Sequence, residues 1–405
     1  MHFALMRTCL LLLAFVSAGA AAGNAQEPDE DPVDTARVQL GPLGLTPSIA
    51  LANLGVDTNV FNTYEDPKQD FTVTLSPGAE LWLRAGPSRL SVASRFDAVY
   101  FRRYASERSL DGEVDGRWEV RWNRLTPWIA GGYARGRQRV GYEIDVRSRR
   151  TVTDVAAGVE ARVASKTRIV ASAHRTTYEH DADAVFFDAS LQEVLNRETE
   201  AWGLQYRQAL TPLTTFVVHG EVLTDTFGFS PQRDSDGVRV QAGFDLDTRA
   251  LIAGTARIGY RRFESVGGGL PDFTGVVASY GVEMVIGGRT HMEIVGERDV
   301  TYSYDLVYPY FVLSGGTITL TPRMAERWDL QARAGAQWLA YRAARAFAGV
   351  PERTDEFVLL GGGVGIHIGR RARIGFNVNH ERRRSPLEAR DYRGFRFGTS
   401  VTYGR

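Results

Sequence analysis

The sequence predicts an all-β protein: a transmembrane, antiparallel, up-and-down β-barrel of about 18 strands, with 16 as the alternative count. Three observations lead to this prediction. Segments that alternate apolar and polar residues follow one another from about residue 48 to the end, their connections alternate between short and long, and aromatic residues lie near segment ends. Short periplasmic turns and long extracellular loops are typical of an outer-membrane barrel.

The alternation is clearest in residues 113–122, where every odd position is charged and every even position is apolar or small. Successive side chains of a β-strand point to opposite faces, so this segment has one charged and one apolar face, whereas a helix would mix the two sets. Buried unpaired charges are very costly, so the charged face is expected to meet water. Residues 238–247 repeat the pattern. The predicted pore-lining residues are Glu113, Asp115, Arg117, Glu119, Arg121, Arg239, Asp245 and Asp247. The residues predicted to face lipid include Val114, Trp118, Val120 and Trp122.

The connections between segments distinguish a membrane barrel from other β-folds. We count eight short and nine long connections, which together join 18 strands. A β-propeller would instead repeat in blades of four strands. A soluble sandwich would also have two-faced strands, so the alternation alone does not decide between the two folds. The long connection 179–197 is a candidate for a constriction folded into the lumen.

Aromatic residues near segment ends indicate two membrane interfaces. Trp122 and Trp128 flank one short turn, and a long loop is surrounded by Tyr302, Tyr304, Tyr308 and Tyr310. We therefore expect these side chains to belong to the interfacial girdles.

Residues 1–25 are predicted to be a secretory signal peptide. Arg7 precedes the short apolar run Cys9–Val16, and small residues around Ala25 supply a cleavage site. The acidic, proline-bearing residues 26–47 are expected to form a periplasmic lead, and residues 48–405 the barrel. Cys9 is the only cysteine, so we expect neither a disulfide nor a thiolate metal site in the processed chain.

Few residue groups indicate chemistry. The chain has 48 Lys and Arg against 48 Asp and Glu, and this balance argues against nucleic-acid binding. Residues 179–183 hold four potential metal ligands, but their spacing is not diagnostic, and a solvated charge cluster is the simpler interpretation. The glycine-rich residues 361–369 lack a G-x-G-x-x-G frame and are interpreted as small residues for strand curvature. His219 and Glu221 share one strand face, and we interpret them as polar lumen residues rather than as a hydrolase pair. We expect no enzyme, metal or cofactor.

The first predicted hairpin, Gly55–Arg84, carries a G-x-D-x-N-V-F strand end, a polar loop and an S-P-G strand. It resembles the putative β-barrel porin 2 family. The matching residues are Gly55, Asp57, Asn59, Val60, Phe61, Ser76, Pro77 and Gly78. The resemblance implies an integral outer-membrane protein of a Gram-negative bacterium, often linked with exopolysaccharide production or export. From the residues alone, Asp57 and Asn59 are predicted to bond the backbone of the adjoining turn.

Two functions are consistent with the sequence. The first is a porin-like barrel that passes small hydrophilic solutes or a secreted polysaccharide, and the second is a non-transporting accessory barrel of an exopolysaccharide apparatus. An outer-membrane hydrolase is a third hypothesis, ranked below these two. Expected partners are outer-membrane lipid, lipopolysaccharide, the barrel assembly machinery and polysaccharide export components. Arg147–Arg150 and Arg382–Arg384 are expected to fall in the long loops, where two interpretations stay open: contact with lipopolysaccharide phosphates, or ordinary solvation.

Overall fold

The computed structural model describes residues 33, 36–139, 141–347, 349–369 and 371–404. The predicted signal peptide, residues 1–25, lies outside the described residues, as does most of the acidic lead at 26–47. Within that lead, Val38–Leu40 forms a short strand that pairs with the beginning of the first barrel strand.

Eighteen long antiparallel strands form the barrel. They are β1 (Leu43–Asp57), β2 (Asp70–Ala85), β3 (Ser88–Phe101), β4 (Ser109–Val120), β5 (Leu125–Arg139), β6 (Arg147–Ala164), β7 (Thr167–His180), β8 (Arg197–Thr211), β9 (Thr214–Phe227), β10 (Ser235–Leu246), β11 (Ile252–Ser265), β12 (Phe273–Ile286), β13 (Thr290–Tyr302), β14 (Tyr310–Pro322), β15 (Trp328–Arg342), β16 (Thr354–Ile368), β17 (Ala372–Arg384) and β18 (Tyr392–Tyr403).

The sheet closes on itself because β1 pairs with β2 on one side and with β18 on the other. The predicted fold class and strand number are therefore confirmed. β1 begins at Leu43 rather than near residue 48, and it contains Pro47. Pairing with β18 begins at Ile49↔Tyr403, so the proline lies before that ladder starts and its missing N–H interrupts no pair with β18.

The connections alternate as predicted. One end of the barrel carries short turns, such as Gly86–Pro87 between β2 and β3, and the other carries long loops. We call these the short-turn end and the long-loop end. The loop 181–196 contains the one-turn helix α1 (Leu191–Leu195) and a pairing of Val185–Phe186 with Ala189–Ser190. Among the described residues, no helix is long and apolar enough to cross a membrane.

Contacts between non-neighbouring strands show which face is concave. Arg239 on β10 and Arg261 on β11 both contact Asp299 on β13, and side chains that meet across intervening strands must lie inside the barrel. The opposite face exposes an apolar belt that includes Val114, Trp118 and Val240. This arrangement, charged inside and apolar outside, is that of a barrel whose outer surface contacts lipid.

Several predicted girdle aromatics lie inside the barrel, contrary to the expectation. Trp122 is exposed, but Trp128 is buried and its ring stacks under the Arg117 guanidinium at 4.1 Å. Tyr302, Tyr304 and Tyr310 are also buried.

The physical reason for the buried tyrosines is a bend in the wall. The described pairing of β12 with β13 ends at Ala278↔Arg298, whereas β13 stays paired with β14 up to Tyr302↔Tyr310. The top of the β13–β14 hairpin therefore leans into the lumen. Tyr310 there meets the inward-facing Phe263 edge-on, with ring centres 5.2 Å apart.

Candidate functional site: the barrel lumen

The short-turn half of the lumen carries charged side chains that pair along the wall. On and just after β4, Glu119 accepts from Arg117 at 3.3 Å and pairs with Arg121 at 2.8 Å. These groups are partly exposed, and ion pairs of this kind contribute only about 0–1 kcal/mol. They leave a wall of mixed charge in contact with water.

Further up β4, Glu113 and Asp115 belong to an acidic part of the wall. Glu113 lies opposite Arg95 in the register with β3, and Arg95 donates to Asp97 at 3.0 Å. Asp115 occupies the space above Gly132 of β5, where an added Cβ would lie 2.6 Å from its Oδ1 atom. Gly132 thus makes room for a carboxylate that points along the inner face.

A second part of the wall, β8–β13, holds arginines and carboxylates in two sets of ion pairs. Arg207 pairs with Asp245 at 3.0 Å, Arg239 with Glu221 at 2.9 Å, and Arg257 also contacts Asp245. Two predicted residues, Arg239 and Asp245, thus lie on this part of the wall in separate sets of ion pairs. Asp247 lies instead in the turn after β10, where its Oδ1 accepts from the backbone N–H of Arg249 at 2.9 Å.

The loop between β5 and β6 folds into the lumen, which sequence reasoning missed. We call Gly141–Val146 the strap. The Glu143 carboxylate accepts from the Ser303 hydroxyl at 2.6 Å and from the Tyr304 backbone N–H at 3.2 Å. Both partners belong to the loop after β13, far around the barrel from β5 and β6. The strap therefore crosses the lumen.

Two arginines fix the strap at its other side. Arg383 on β17 donates to the backbone carbonyls of Tyr142, at 2.7 Å, and Glu143, at 3.0 Å. Arg390 pairs with Asp145 at 3.1 Å. Burial raises the pKa of the Glu143 carboxyl, although Ser303 and both arginines oppose this effect. The neutral form of Glu143 is therefore favoured more than in water.

Behind the strap lies a buried ion network. Asp355 is 0% exposed and accepts from Arg353 at 2.8 and 3.0 Å and from the Ser385 hydroxyl at 2.7 Å. Arg383 contacts the same carboxylate. Because Arg383 binds both Asp355 and the strap, it connects the barrel wall to the inserted loop.

The predicted constriction loop also packs inward. Phe186, Leu191 and Leu195 of the loop 181–196 join one buried apolar cluster with Phe227 and Tyr302 of the wall. The cluster also includes Ile144 of the strap, Phe263, Phe273 and Tyr310. Apolar side chains therefore fill much of the long-loop half of the lumen.

Arg233 ties the inserted loops together. Its guanidinium donates to the carbonyls of Val194 at 2.6 Å, Ser303 at 2.6 Å and Pro309 at 2.5 Å. Burial lowers the pKa of Arg233 to about 10, which keeps the group charged at neutral pH. Arg233 thus joins its own loop, 228–234, to the loops 181–196 and 303–309.

The other candidate sites take structural roles. The His180 backbone N–H donates to Asn196 Oδ1 at 2.7 Å, and Asp181 pairs with Arg149 at 3.5 Å. In the part of the chain that the structure describes, no group of three or more His, Cys, Asp or Glu side chains could hold a metal ion. His219 Nε2 lies 4.0 Å from Glu221, whose carboxylate Arg239 already binds.

Glycines of β16 make room for side chains of β17, a more specific role than the predicted strand curvature. An added Cβ at Gly361 would lie 2.4 Å from Asn379 Oδ1, and one at Gly363 would lie 2.2 Å from Asn377 Oδ1. At Gly365 the guanidinium of Arg373 occupies the corresponding space. The glycines therefore let polar groups lie flat on the inner wall.

The arginine clusters are divided between the two faces. Arg383 is buried inside, whereas Arg382 and Arg384 are exposed. Arg150 lies over the ring of the buried Tyr178 at 5.6 Å, whereas Arg149, the preceding residue, is exposed. Both clusters lie at strand ends, on β6 and β17, rather than in the loops. Strand alternation therefore removes part of each cluster from the outer surface.

Comparisons of the chain with known protein families and solved structures agree with this architecture. The family model described as putative beta-barrel porin 2 matches residues 31–405. The chain belongs to this family. It is accordingly a porin-like outer-membrane β-barrel. No curated protein matches the chain in sequence.

Among solved structures, a BenF-like porin from Pseudomonas fluorescens Pf-5 is similar with a TM-score of 0.52 and 9% identity, over 90% of this chain and 98% of that chain. Pseudomonas aeruginosa OpdK, solved with vanillate, gives a TM-score of 0.49 and 11% identity over the same shares of the two chains. The siderophore receptor PirA from Pseudomonas aeruginosa gives 0.39 and 9% identity, over 89% of this chain and 79% of that chain. At 9% identity, the similarity to the BenF-like porin shows the fold alone.

The first residues of the motif that carries the resemblance to the porin 2 family lie at the seam between β1 and β18. Gly55 is opposite Gly398, and an added Cβ at Gly55 would lie 2.0 Å from the Phe397 carbonyl oxygen. Asp57 accepts from Arg396 Nε at 2.9 Å and from the Asn59 backbone N–H at 2.9 Å. The motif thus joins the two terminal strands of the barrel.

Of the other motif residues, Asn59 also bonds β18, and the rest contact neighbouring elements. Asn59 donates to the carbonyls of Thr63, at 2.9 Å, and Arg393, at 3.0 Å, which confirms its predicted turn-bonding role. The Val60 carbonyl accepts from Arg139 at 2.6 Å, and Phe61 meets Tyr104 edge-on at 4.9 Å. On β2, the register with β3 passes from Leu75↔Ala98 to Gly78↔Arg95, skipping Ser76 and Pro77, because proline has no N–H to donate.

Proposed function

We propose that the protein conducts small hydrophilic solutes across the outer membrane and that the strap sets the width of its path. The observation that carries this proposal is the contrast along the lumen. The short-turn half has a wall of mixed, water-accessible charge, and the long-loop half is narrowed by inserted loops.

The charged wall supports weak selectivity rather than a single dedicated ligand site. Glu113, Asp115, Arg117, Glu119 and Arg121 line one side of the proposed path, and the ion pairs of Arg239 and of Asp245 lie on another. Charges of both signs on different parts of a wall create a field across the pore, which discriminates among small charged solutes. A polymer would have to displace both the strap and the loop 181–196. Small solutes are therefore the favoured cargo over a secreted polysaccharide.

The second candidate is a non-transporting accessory barrel of an exopolysaccharide apparatus. The buried apolar cluster around Phe186, Leu191 and Tyr302 favours it, because a packed core in the lumen stabilises a closed barrel. A hydrolase ranks below both, because Arg239 already neutralises the carboxylate nearest His219.

Conductance in a planar bilayer separates the two candidates. The wild-type protein is expected to give a small ion current, and Arg383→Gln a larger one, because the variant loses the guanidinium bonds to the Tyr142 and Glu143 carbonyls of the strap. Arg384→Gln is the matched control, since Arg384 is the neighbouring residue but is exposed on the outer side. Heat-modifiable gel mobility would verify that each variant is folded. If neither the wild-type protein nor Arg383→Gln gives an ion current, the pore is refuted and the accessory barrel is favoured.

A further inference from the structure

The barrel wall parts between β12 and β13 at the long-loop end. Their described register runs from Ile286↔Thr290 to Ala278↔Arg298. Beyond that pair both strands continue, and each remains paired on its far side, through Phe263↔Phe273 and Tyr302↔Tyr310. By contrast, β10 and β11 stay paired to Ser235↔Ser265, the ends of both strands. We call the space above Ala278↔Arg298 the cleft.

One side chain spans the cleft. Arg298 Nε donates to the Val276 carbonyl on β12 at 3.2 Å, and its Nη1 donates to the Ser314 hydroxyl on β14 at 2.5 Å. Continuing the register would put Val300 opposite Val276, so the guanidinium replaces part of the missing ladder. Arg298 is exposed, and no carboxylate of the described residues lies within ion-pair distance of it.

The cleft begins at the upper edge of the apolar belt. Val276 and Tyr260 are opposite each other, 48% and 51% exposed, and they mark the last apolar pair on the outer face of these two strands. The next pair upward is Arg262↔Thr274, both exposed. This is the level at which lipid headgroups replace hydrocarbon.

The hydrocarbon chains of lipid cannot satisfy the polar edge of a parted sheet, since they offer neither donors nor acceptors to backbone groups. A headgroup phosphate can satisfy the N–H groups of such an edge, because it accepts several hydrogen bonds at once. An arginine guanidinium matches phosphate geometry and binds it through charge-assisted bonds. Below Arg298, Val276 and Tyr260 offer an apolar surface for the attached acyl chains.

We propose that the cleft binds the phosphate-bearing headgroup of an outer-membrane lipid, with the Arg298 guanidinium as its main ligand. The lipid closes the wall where the strands part. A free phosphate fits less well, because half of the site is apolar surface at the membrane boundary.

Native mass spectrometry of the folded, detergent-solubilised protein titrated with lipid A tests this site. The wild-type protein is expected to retain lipid A, and Arg298→Gln to weaken retention about tenfold or more, the loss expected for charge-assisted bonds. Arg298→Lys should recover part of the binding. The matched control is Arg262→Gln, which removes an exposed cation of the neighbouring strand that is already paired with Glu264 and should change retention little.

Equal retention by Arg298→Gln and wild type would overturn the proposal. So would competition by millimolar inorganic phosphate that removes lipid A from the wild-type protein, because it would identify a free-anion site. Heat-modifiable mobility shows whether each variant is folded. If Arg298→Gln does not fold, the proposal is tested by comparing lipid A retention of Arg298→Lys with that of Arg262→Gln. Weaker retention by Arg298→Lys than by Arg262→Gln supports the site, and equal retention refutes it.

Discussion

The two halves of the lumen use the same residue types in different ways. In the short-turn half, charged groups pair with neighbours on the same wall, as Glu119 does with Arg117 and Arg121. In the long-loop half, they connect elements that are distant in the chain, as Arg383 does with the strap. Pairing within a wall leaves a passage open, and pairing across the lumen closes it. The sign of the charge therefore matters less than the partner's position.

The largest expected difference between the halves is in stability. Asp355→Ala removes a fully buried carboxylate and leaves Arg353 and Arg383 without it, and losing one partner of a buried pair typically costs about 3–5 kcal/mol. Glu119→Ala in the short-turn half should cost about 1 kcal/mol or less, because that pair is partly solvated. Urea unfolding followed by tryptophan fluorescence measures both. Similar losses for the two variants would show that the halves do not differ in this way.

The outer surface gives a second test. It compares two positions at different depths in the membrane rather than the two ends of the barrel. Val114 lies at the middle of β4 on the apolar face, so Val114→Arg should cost about 2–4 kcal/mol in the membrane. Trp118 lies two positions before the end of β4, and its indole N–H donates to the Ser88 hydroxyl at 2.6 Å. Trp118→Arg should therefore be tolerated better than Val114→Arg, since a charge near the interface costs about 0–1 kcal/mol. Folding yield into lipid vesicles would rank them, and the reverse order would mean that the depth assignment is wrong.

The seam provides the third comparison. An added methyl at Gly55 meets the Phe397 carbonyl and Gly398 Cα at 2.0 and 2.4 Å, so Gly55→Ala must push β1 and β18 apart. We expect a loss of about 1–3 kcal/mol, the usual cost of overpacking, and lower assembly yield. At Gly116 of β4 the nearest atoms would lie 3.8 Å away, so Gly116→Ala should be nearly neutral. Heat-modifiable gel mobility measures the assembled fraction of both variants. Normal assembly of Gly55→Ala would argue against a tight seam.

The sequence predicted the barrel well because its signal is local. Alternation with period two places Arg239 inside and Val240 outside wherever a strand is regular. The number of strands follows from the same pattern together with the turn residues that separate the segments.

The contents of the lumen depend on contacts that one sequence does not display. Tyr142 and Ile144 alternate with Glu143 and Asp145, which is a strand-like pattern inside a loop, and this was the one signal that the strap carried. Its partners Ser303 and Arg383 are about 160 and 240 positions away. Tyr302 was misplaced for a related reason: strand parity stops predicting the face where the β13–β14 hairpin leaves β12.

The smallest expected effect is the pH dependence of the strap. The folded protein raises the pKa of Glu143 through burial, so between the ordinary value of about 4.3 and the folded value the docked strap binds more protons than the released strap. Docking is therefore strongest at the acidic end of that window and weakens as pH rises through it. A single group shifts the equilibrium by at most about tenfold per pH unit.

We expect the bilayer conductance of the wild-type protein to fall as pH is lowered from neutral toward this window. Glu113 and Asp115 of the lumen wall also titrate, so the wild-type trace alone does not identify the group. Glu143→Gln keeps the hydrogen-bonding shape without the charge and should flatten the part of the profile that comes from the strap. Glu113→Gln, on the wall, should change ion selectivity while leaving that part in place. A wild-type profile that Glu143→Gln leaves unchanged would place the pH response in the wall and would leave the strap as a fixed constriction.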